Sequence, residues 1–241
     1  MLDKIKKKTG LLPIILCLLA GARLASAQTA DDIIAKYIDA IGGRELVGKI
    51  ETIRMETSAE IMGNDAPGTV IILNGKGYRA ETEFDGAKMI QCYTDSGGWS
   101  TNPMSGNTPE VMPKEQYEAG RTQIFVGGEL FNYAARGGKV ELLVKDGGLY
   151  RIKLTTRDNG VSTYYIDPAT YLVTKIAKTG EAMGQQVEIT ISLSDYKKTD
   201  YGLLAPYTTQ MDFGAMFSMT VVTKKVEINK PVDPKIFEMP R

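Results

Sequence analysis

The sequence predicts a mainly β, α+β domain: one antiparallel meander with a dry and a wet face, preceded by a helix and interrupted by a helical insert. Two observations carry this. From Ile50 onward the apolar period is 2 rather than 3.6, so the chain reads as half-buried strands. Short turn signals separate the runs (Asn74-Gly75, Asp85-Gly86, Ser96-Gly97-Gly98, Asp146-Gly147-Gly148, Asn159-Gly160 and Asp167-Pro168). Links this short join only antiparallel neighbours.

The first 27 of the 241 residues have the layout of a secretory signal peptide. Lys4, Lys6, Lys7 and Lys8 form a basic stub, residues 11–20 an apolar run, and Ala25 and Ala27 a small-residue cleavage site ahead of Gln28. The run is half the roughly 20 residues of a spanning helix and contains Pro13, which argues against a permanent anchor. Ile15 and Leu16 before Cys17 do not make a lipobox. The expectation is a mature chain that begins at Gln28, cyclised to pyroglutamate, and works in the periplasm as a single domain, 28–241.

That leader holds five of the 29 basic and one of the 29 acidic residues, leaving a mature charge of −4 (24 against 28). A mildly acidic chain without a Lys/Arg cluster has no electrostatic reason to bind nucleic acid. Once Cys17 is removed, Cys92 is the only thiol, so no internal disulfide forms and the fold rests on its apolar core.

Thr29 caps the first helix, with Asp32 three residues on in the capping-box position. Ile33, Ile34, Tyr37, Ile38 and Ile41 form one apolar stripe, Gly42-Gly43 ends it, and residues 44–49 make a further turn. In the first strand Ile53, Met55, Thr57, Ala59 and Ile61 lie opposite Arg54, Glu56, Ser58 and Glu60. The same alternation recurs over 78–84, 150–155 and 186–193. It fails over 103–138, where residues 113–119 and 129–135 read as short helices around Gly127-Gly128, with Leu130, Phe131 and Tyr133 on an apolar side. Ile34, Ile38 and Ile41 are expected to pack on Ile53, Tyr78 and Ile152.

The chain contains no histidine, which removes Ser-His-Asp and Cys-His nucleophiles and the commonest zinc ligand. Residues 43–49 have phosphate-loop spacing, but Ile50 stands where Mg²⁺ coordination needs Ser or Thr, and a helix precedes them where a strand is required. Ser194 and Lys197 with Lys178-Thr179-Gly180 echo penicillin-binding enzymes, yet in reversed order and on a strand. Carboxylates are scattered, and Cys92 has no partner base. The sequence therefore predicts no enzyme, no cofactor and no metal site. Its 11 methionines, among them Met55, Met62, Met89, Met211, Met216 and Met219, tilt it toward a soft apolar pocket.

Several segments together resemble the LolA-like outer-membrane lipoprotein-sorting family: residues 31–34 through 41–45, residues 162–168 with 172–176, Tyr196-Lys197-Lys198 with 202–207, and the closing run 228–237. The resemblance spans nearly all of the mature chain and rests on turn and hairpin patterns. It implies an unclosed, strongly curved antiparallel half-barrel with helices packed on its concave face and an acyl-chain cavity between them. The expected role is a periplasmic carrier of lipid or lipoprotein acyl chains, with envelope membrane proteins as partners for loading and release. The alternative is a non-transport envelope module of the same fold, sensing ligands or scaffolding a partner. The cavity-lining residues expected are Met55, Phe84, Met89, Leu130, Phe131, Met211 and Phe213, with 103–138 as the lid.

Overall fold

The computed structural model describes residues 28–61, 64–101, 106–182 and 185–240; the signal-peptide expectation for residues 1–27 lies outside them. Helix α1 (Ala30–Ala40) starts on the capping box: Thr29 Oγ1 accepts from Asp32 N–H (3.2 Å) and Asp32 Oδ2 accepts from Thr29 N–H (2.9 Å). Gly42 and Gly43 stop it because both take positive φ (132° and 87°), where a side chain is strained. Helix α2 (Arg44–Gly48) follows.

Among the described residues, thirteen strands then form one antiparallel sheet. In chain order they are β1 (Thr52–Ile61), β2 (Asn64–Leu73), β3 (Gly77–Phe84), β4 (Ala87–Thr94), β5 (Gly98–Thr101), β6 (Pro109–Val111), β7 (Lys139–Asp146), β8 (Leu149–Thr155), β9 (Val161–Ile166), β10 (Val173–Ala182), β11 (Gln185–Lys198), β12 (Leu204–Asp212) and β13 (Ser218–Ile228). The spatial order is β6-β5-β4-β3-β2-β1-β13-β12-β11-β10-β9-β8-β7. Two meanders thus meet at the β1–β13 pair, and β6 and β7 remain as free edges, so the sheet is unclosed. The chain between those two edges is the insert, residues 112–138. Connectivity alone obliges it to run from one free edge to the other.

Register partners share a face, so the β1 pairs Ile53–Ile72, Met55–Val70 and Ala59–Ala66, with Ile53–Ile228 and Met55–Val226 across β13, place one set of side chains on the concave side. The main core sits there. Ile33, Ile34, Ile38 and Ile41 of the α1 segment and Val47 of α2 are buried against Ile53, Ile152, Leu154, Tyr164, Ile166 and Val173, together with Val126, Leu130 and Phe131 from the insert. On the convex side a C-terminal strap lays Phe237 against Cys92 and Trp99, whose indole N–H donates to Phe237 O (2.9 Å).

Two expectations need correction. Tyr78 does not meet α1; it packs with Tyr93, Met112 and Ile124 beneath the insert. Residues 129–135 do not form an α-helix: Asn132 sits at φ 56° and only a 3-10 turn (Ala134–Arg136) follows. The Arg136 guanidinium donates to Gly128 O (3.0 Å) and Glu129 O (2.8 Å), satisfying carbonyls that a helix would have bonded itself. The first insert helix is present as α3 (Lys114–Gly120).

Candidate functional site

Between the insert and strands β8–β10 lies a cavity of about 820 Å³. Its apolar wall comes from Tyr117, Ile124, Phe125 and Tyr133 of the insert and from Leu154 and Val161 of the sheet. The rest of its wall is polar and includes Glu129, Arg136, Arg157, Ser162 and Lys178. The placement follows from register: Leu154, Ser162 and Lys178 are successive cross-strand partners on β8, β9 and β10, and so share the concave face.

The insert is held to the sheet at defined points. Glu129 Oε2 accepts from the buried Tyr164 hydroxyl (2.7 Å) and from Ser162 Oγ (3.3 Å). Burial, then the Glu129 charge, raises the Tyr164 phenol well above its ordinary range, so it stays a donor. Arg136 lies over the Phe125 ring at 4.4 Å, and desolvation lowers its pKa while Glu129 opposes that shift. Arg121 pairs with Asp158 of the β8–β9 turn. Lys178 Nζ donates to Ala119 O at 3.4 Å. The Tyr133 hydroxyl donates to Asp31 of α1; burial first, then this bond, pushes that phenol up to about 12. On the far side Gly120 sits so close to Tyr93 that a Cβ would stand 2.2 Å from the ring, which fixes the end of α3 on β4.

The seven residues expected to line a cavity are distributed differently. Leu130 and Phe131 are 1% and 6% exposed and belong to the main core, against which Met55 packs. Met211 pairs with Met219 and Ile191, and Met89 with Thr82, all half-buried on the sheet. Phe213 stacks on Phe217 (4.5 Å between centroids) in the β12–β13 connection. Phe84 ends β3 opposite Ala87, and its side chain lies outside the described residues. None of the six with described side chains is in the wall of the 820 Å³ cavity.

The wall residues that sequence reasoning missed carried a signal. Ser162 and Lys178 occupy dry-face positions, on the same face as Tyr164 and Ile176, where an apolar residue belongs. Among the described residues no three or more His, Cys, Asp or Glu side chains are placed to hold a metal ion, and no helix is long and apolar enough to cross a membrane.

An unclosed antiparallel sheet wrapped around helices, with a cavity beside them, defines a LolA-like fold. Solved structures share it. A LolA superfamily protein from Nitrosomonas europaea superposes with a TM-score of 0.60 at 12% identity, covering 87% of this chain and 97% of that one. A putative outer membrane lipoprotein-sorting protein domain from Vibrio parahaemolyticus gives 0.55 at 12% identity (86% and 94%). A DUF1329 family protein from Desulfovibrio piger gives 0.55 at 13% (86% and 97%). At these identities the likeness is one of fold. No protein-family model matches the chain, and no curated protein matches it by sequence.

Proposed function

We propose that this protein is a periplasmic carrier that holds one acyl-chain ligand, free lipid or the lipid part of a lipoprotein, between its curved sheet and its insert. The single observation behind the reading is the 820 Å³ cavity lying where the insert bridges an unclosed sheet. Its size falls in the range of about 300–1,000 Å³ typical of sites for one small ligand. The concave surface continues from it: Lys178 on the cavity wall is the cross-strand partner of Ile189, and beyond lie Ile191, Met211 and Met219. An acyl tail leaving the cavity meets that strip, to which Met211 belongs. Reversible carriage requires incomplete burial, because each sequestered CH₂ contributes about 0.8 kcal/mol. Loading and release would then involve envelope membrane proteins, and no chemistry is assigned to the chain.

Titration with a fluorescent fatty acid and with a triacylated peptide tests this. Saturable binding near one equivalent to at least one of them is expected. Absence of binding to any acyl ligand across several head groups contradicts the carrier and favours the envelope-module reading of the same fold.

A further inference from the structure

The strip that leads away from the cavity ends in an aromatic tip. Met211 and Met219 are cross-strand partners on β12 and β13, two residues beyond the Thr209–Val221 pair and on the same face. One rung further the hairpin closes, with Phe213 N–H donating to Phe217 O (3.0 Å) and the two rings stacked at 4.5 Å between centroids. Phe213–Phe217 thus continues the methionine ladder. Gly214 and Ala215 at the turn are exposed, Met216 is half-buried and Phe217 is 42% exposed. The main core stops short of this end, at Leu193 of β11, Ala205 of β12 and Val226 of β13.

The charge around the tip has one sign. Three neighbouring hairpins turn at this end of the sheet: β1–β2 closes at the Ile61–Asn64 pair, β10–β11 at Ala182–Gln185, and β12–β13 beyond Asp212–Ser218. Residues 55–75, 179–196 and 199–223, which run through these turns, contain no Lys or Arg. Their charged side chains are all acidic, among them Glu60, Asp65, Glu188 and Asp212. A turn made of Gly214 and Ala215 has no bulky or charged side chain to hold the two rings out of a lipid boundary, and rings placed there leave water for an apolar medium.

We propose that the β12–β13 tip is a membrane contact, with Phe213, Met216 and Phe217 entering the boundary between head groups and acyl chains of a bilayer rich in phosphatidylethanolamine, whose ammonium groups face the surrounding carboxylates. The inference goes beyond the carrier reading and does not need it. Within that reading it supplies a route: a chain leaving the bilayer at Phe217 passes Met219 and Met211, then Ile191 and Ile189, before it reaches the cavity wall at Lys178. The attraction is apolar, so salt leaves it in place and anionic lipid opposes it.

Vesicle flotation tests this with no acyl ligand present, on protein expressed from the full chain and purified from the soluble periplasmic fraction of a Gram-negative host. Vesicles of phosphatidylethanolamine and phosphatidylcholine are expected to carry the protein equally at about 0.1 M and about 1 M salt, although the screening length falls from about 10 Å to about 3 Å. Replacing part of the lipid by phosphatidylglycerol should weaken the partition. Phe217→Ser should lower it about fivefold and Phe213→Ser/Phe217→Ser further, as loss of partly exposed aromatic area allows, with the melt of the single variant unchanged. A solvent-sensitive fluorophore on Ala215→Cys should shift to the blue when vesicles are added, a readout that leaves both rings in place. No flotation, flotation lost at high salt or strengthened by phosphatidylglycerol, a partition that Phe217→Ser leaves unchanged, or a fluorophore that stays in water each overturns the membrane contact. The carrier reading is untouched by any of these, because it stands or falls on its own titration.

Discussion

Replacing Ile38 by Asp puts the packing of α1 on the sheet to the test. Ile38 is 2% exposed, on the face of α1 turned into the main core beside Ile34 and the sheet residues Ile53 and Ile152. Truncating a buried isoleucine costs about 2–5 kcal/mol through lost transfer energy and the cavity left behind. The new carboxylate adds a desolvation penalty, because it would stand among apolar side chains such as Ile34, Ile53 and Ile152. A total of about 4 kcal/mol or more follows, against an overall stability of about 5–15 kcal/mol for a domain. In a chain this long each kcal/mol moves Tm by about 2–4 °C, so the melt should fall by roughly 10 °C or more. The loss should also depend on pH. Burial raises the introduced carboxyl's pKa in the folded state, so stability declines as pH rises from the ordinary carboxylate range, and the deficit is smaller at pH 4 than at pH 7.5. Circular dichroism melts of wild type and variant at both pH values measure it. An unchanged melt would refute the docking of α1 and, with it, the plugged half-barrel.

Further outcomes follow from the same contacts. Gly120→Ala should destabilise by about 1–3 kcal/mol through overpacking on Tyr93, despite the better helix propensity of Ala; a neutral urea midpoint would mean the insert does not sit on β4. Glu129→Ala removes the acceptor of the buried Tyr164 hydroxyl and should cost about 1–3 kcal/mol, with Glu129→Gln milder because an acceptor remains; equal urea curves for both would contradict the anchor. Burial pushes Cys92 up to about 11 and Tyr37 and Tyr93 up to about 12. The folded chain therefore keeps these protons to higher pH than the unfolded one, and stability is intact below about pH 9 and lost as pH rises through 11–12. Urea midpoints between pH 8 and 11 should fall, and Cys92 should resist thiol reagents at pH 8 until the protein is unfolded.

Local signals carried much of the fold. The Thr29–Asp32 capping box and the Ile33/Ile34/Ile38 stripe locate α1 because both depend on residues within one turn of each other. Alternation in β1 assigns Met55 and Ala59 to the concave side and Arg54 and Glu56 to the wet side, as the structure has them. Strand β7 was missed because Leu142, Leu143 and Val144 run together and blur its period, as suits an edge strand whose Val144 is 85% exposed. The pairing of β1 with β13 and the resulting free edges join residues some 170 positions apart, which no local pattern encodes. The site was less legible than the fold. Leu130 and Phe131 looked like a cavity lid because apolar insert residues must pack on something, and what they pack on is the solid core. The cavity's polar wall depends on Ser162 and Lys178 reaching across to Glu129 and Ala119, contacts set by how the insert crosses the opening rather than by spacing along the chain.

Native mass spectrometry of the full chain expressed in a Gram-negative host, before and after gentle delipidation, tests the proposed carrier most directly. The account predicts a mass excess equal to one acyl-chain amphiphile, removed by organic extraction and restored by adding the extract back. A protein recovered only at its apo mass, with no lipid in the extract and no rebinding of added acyl ligands, would contradict it.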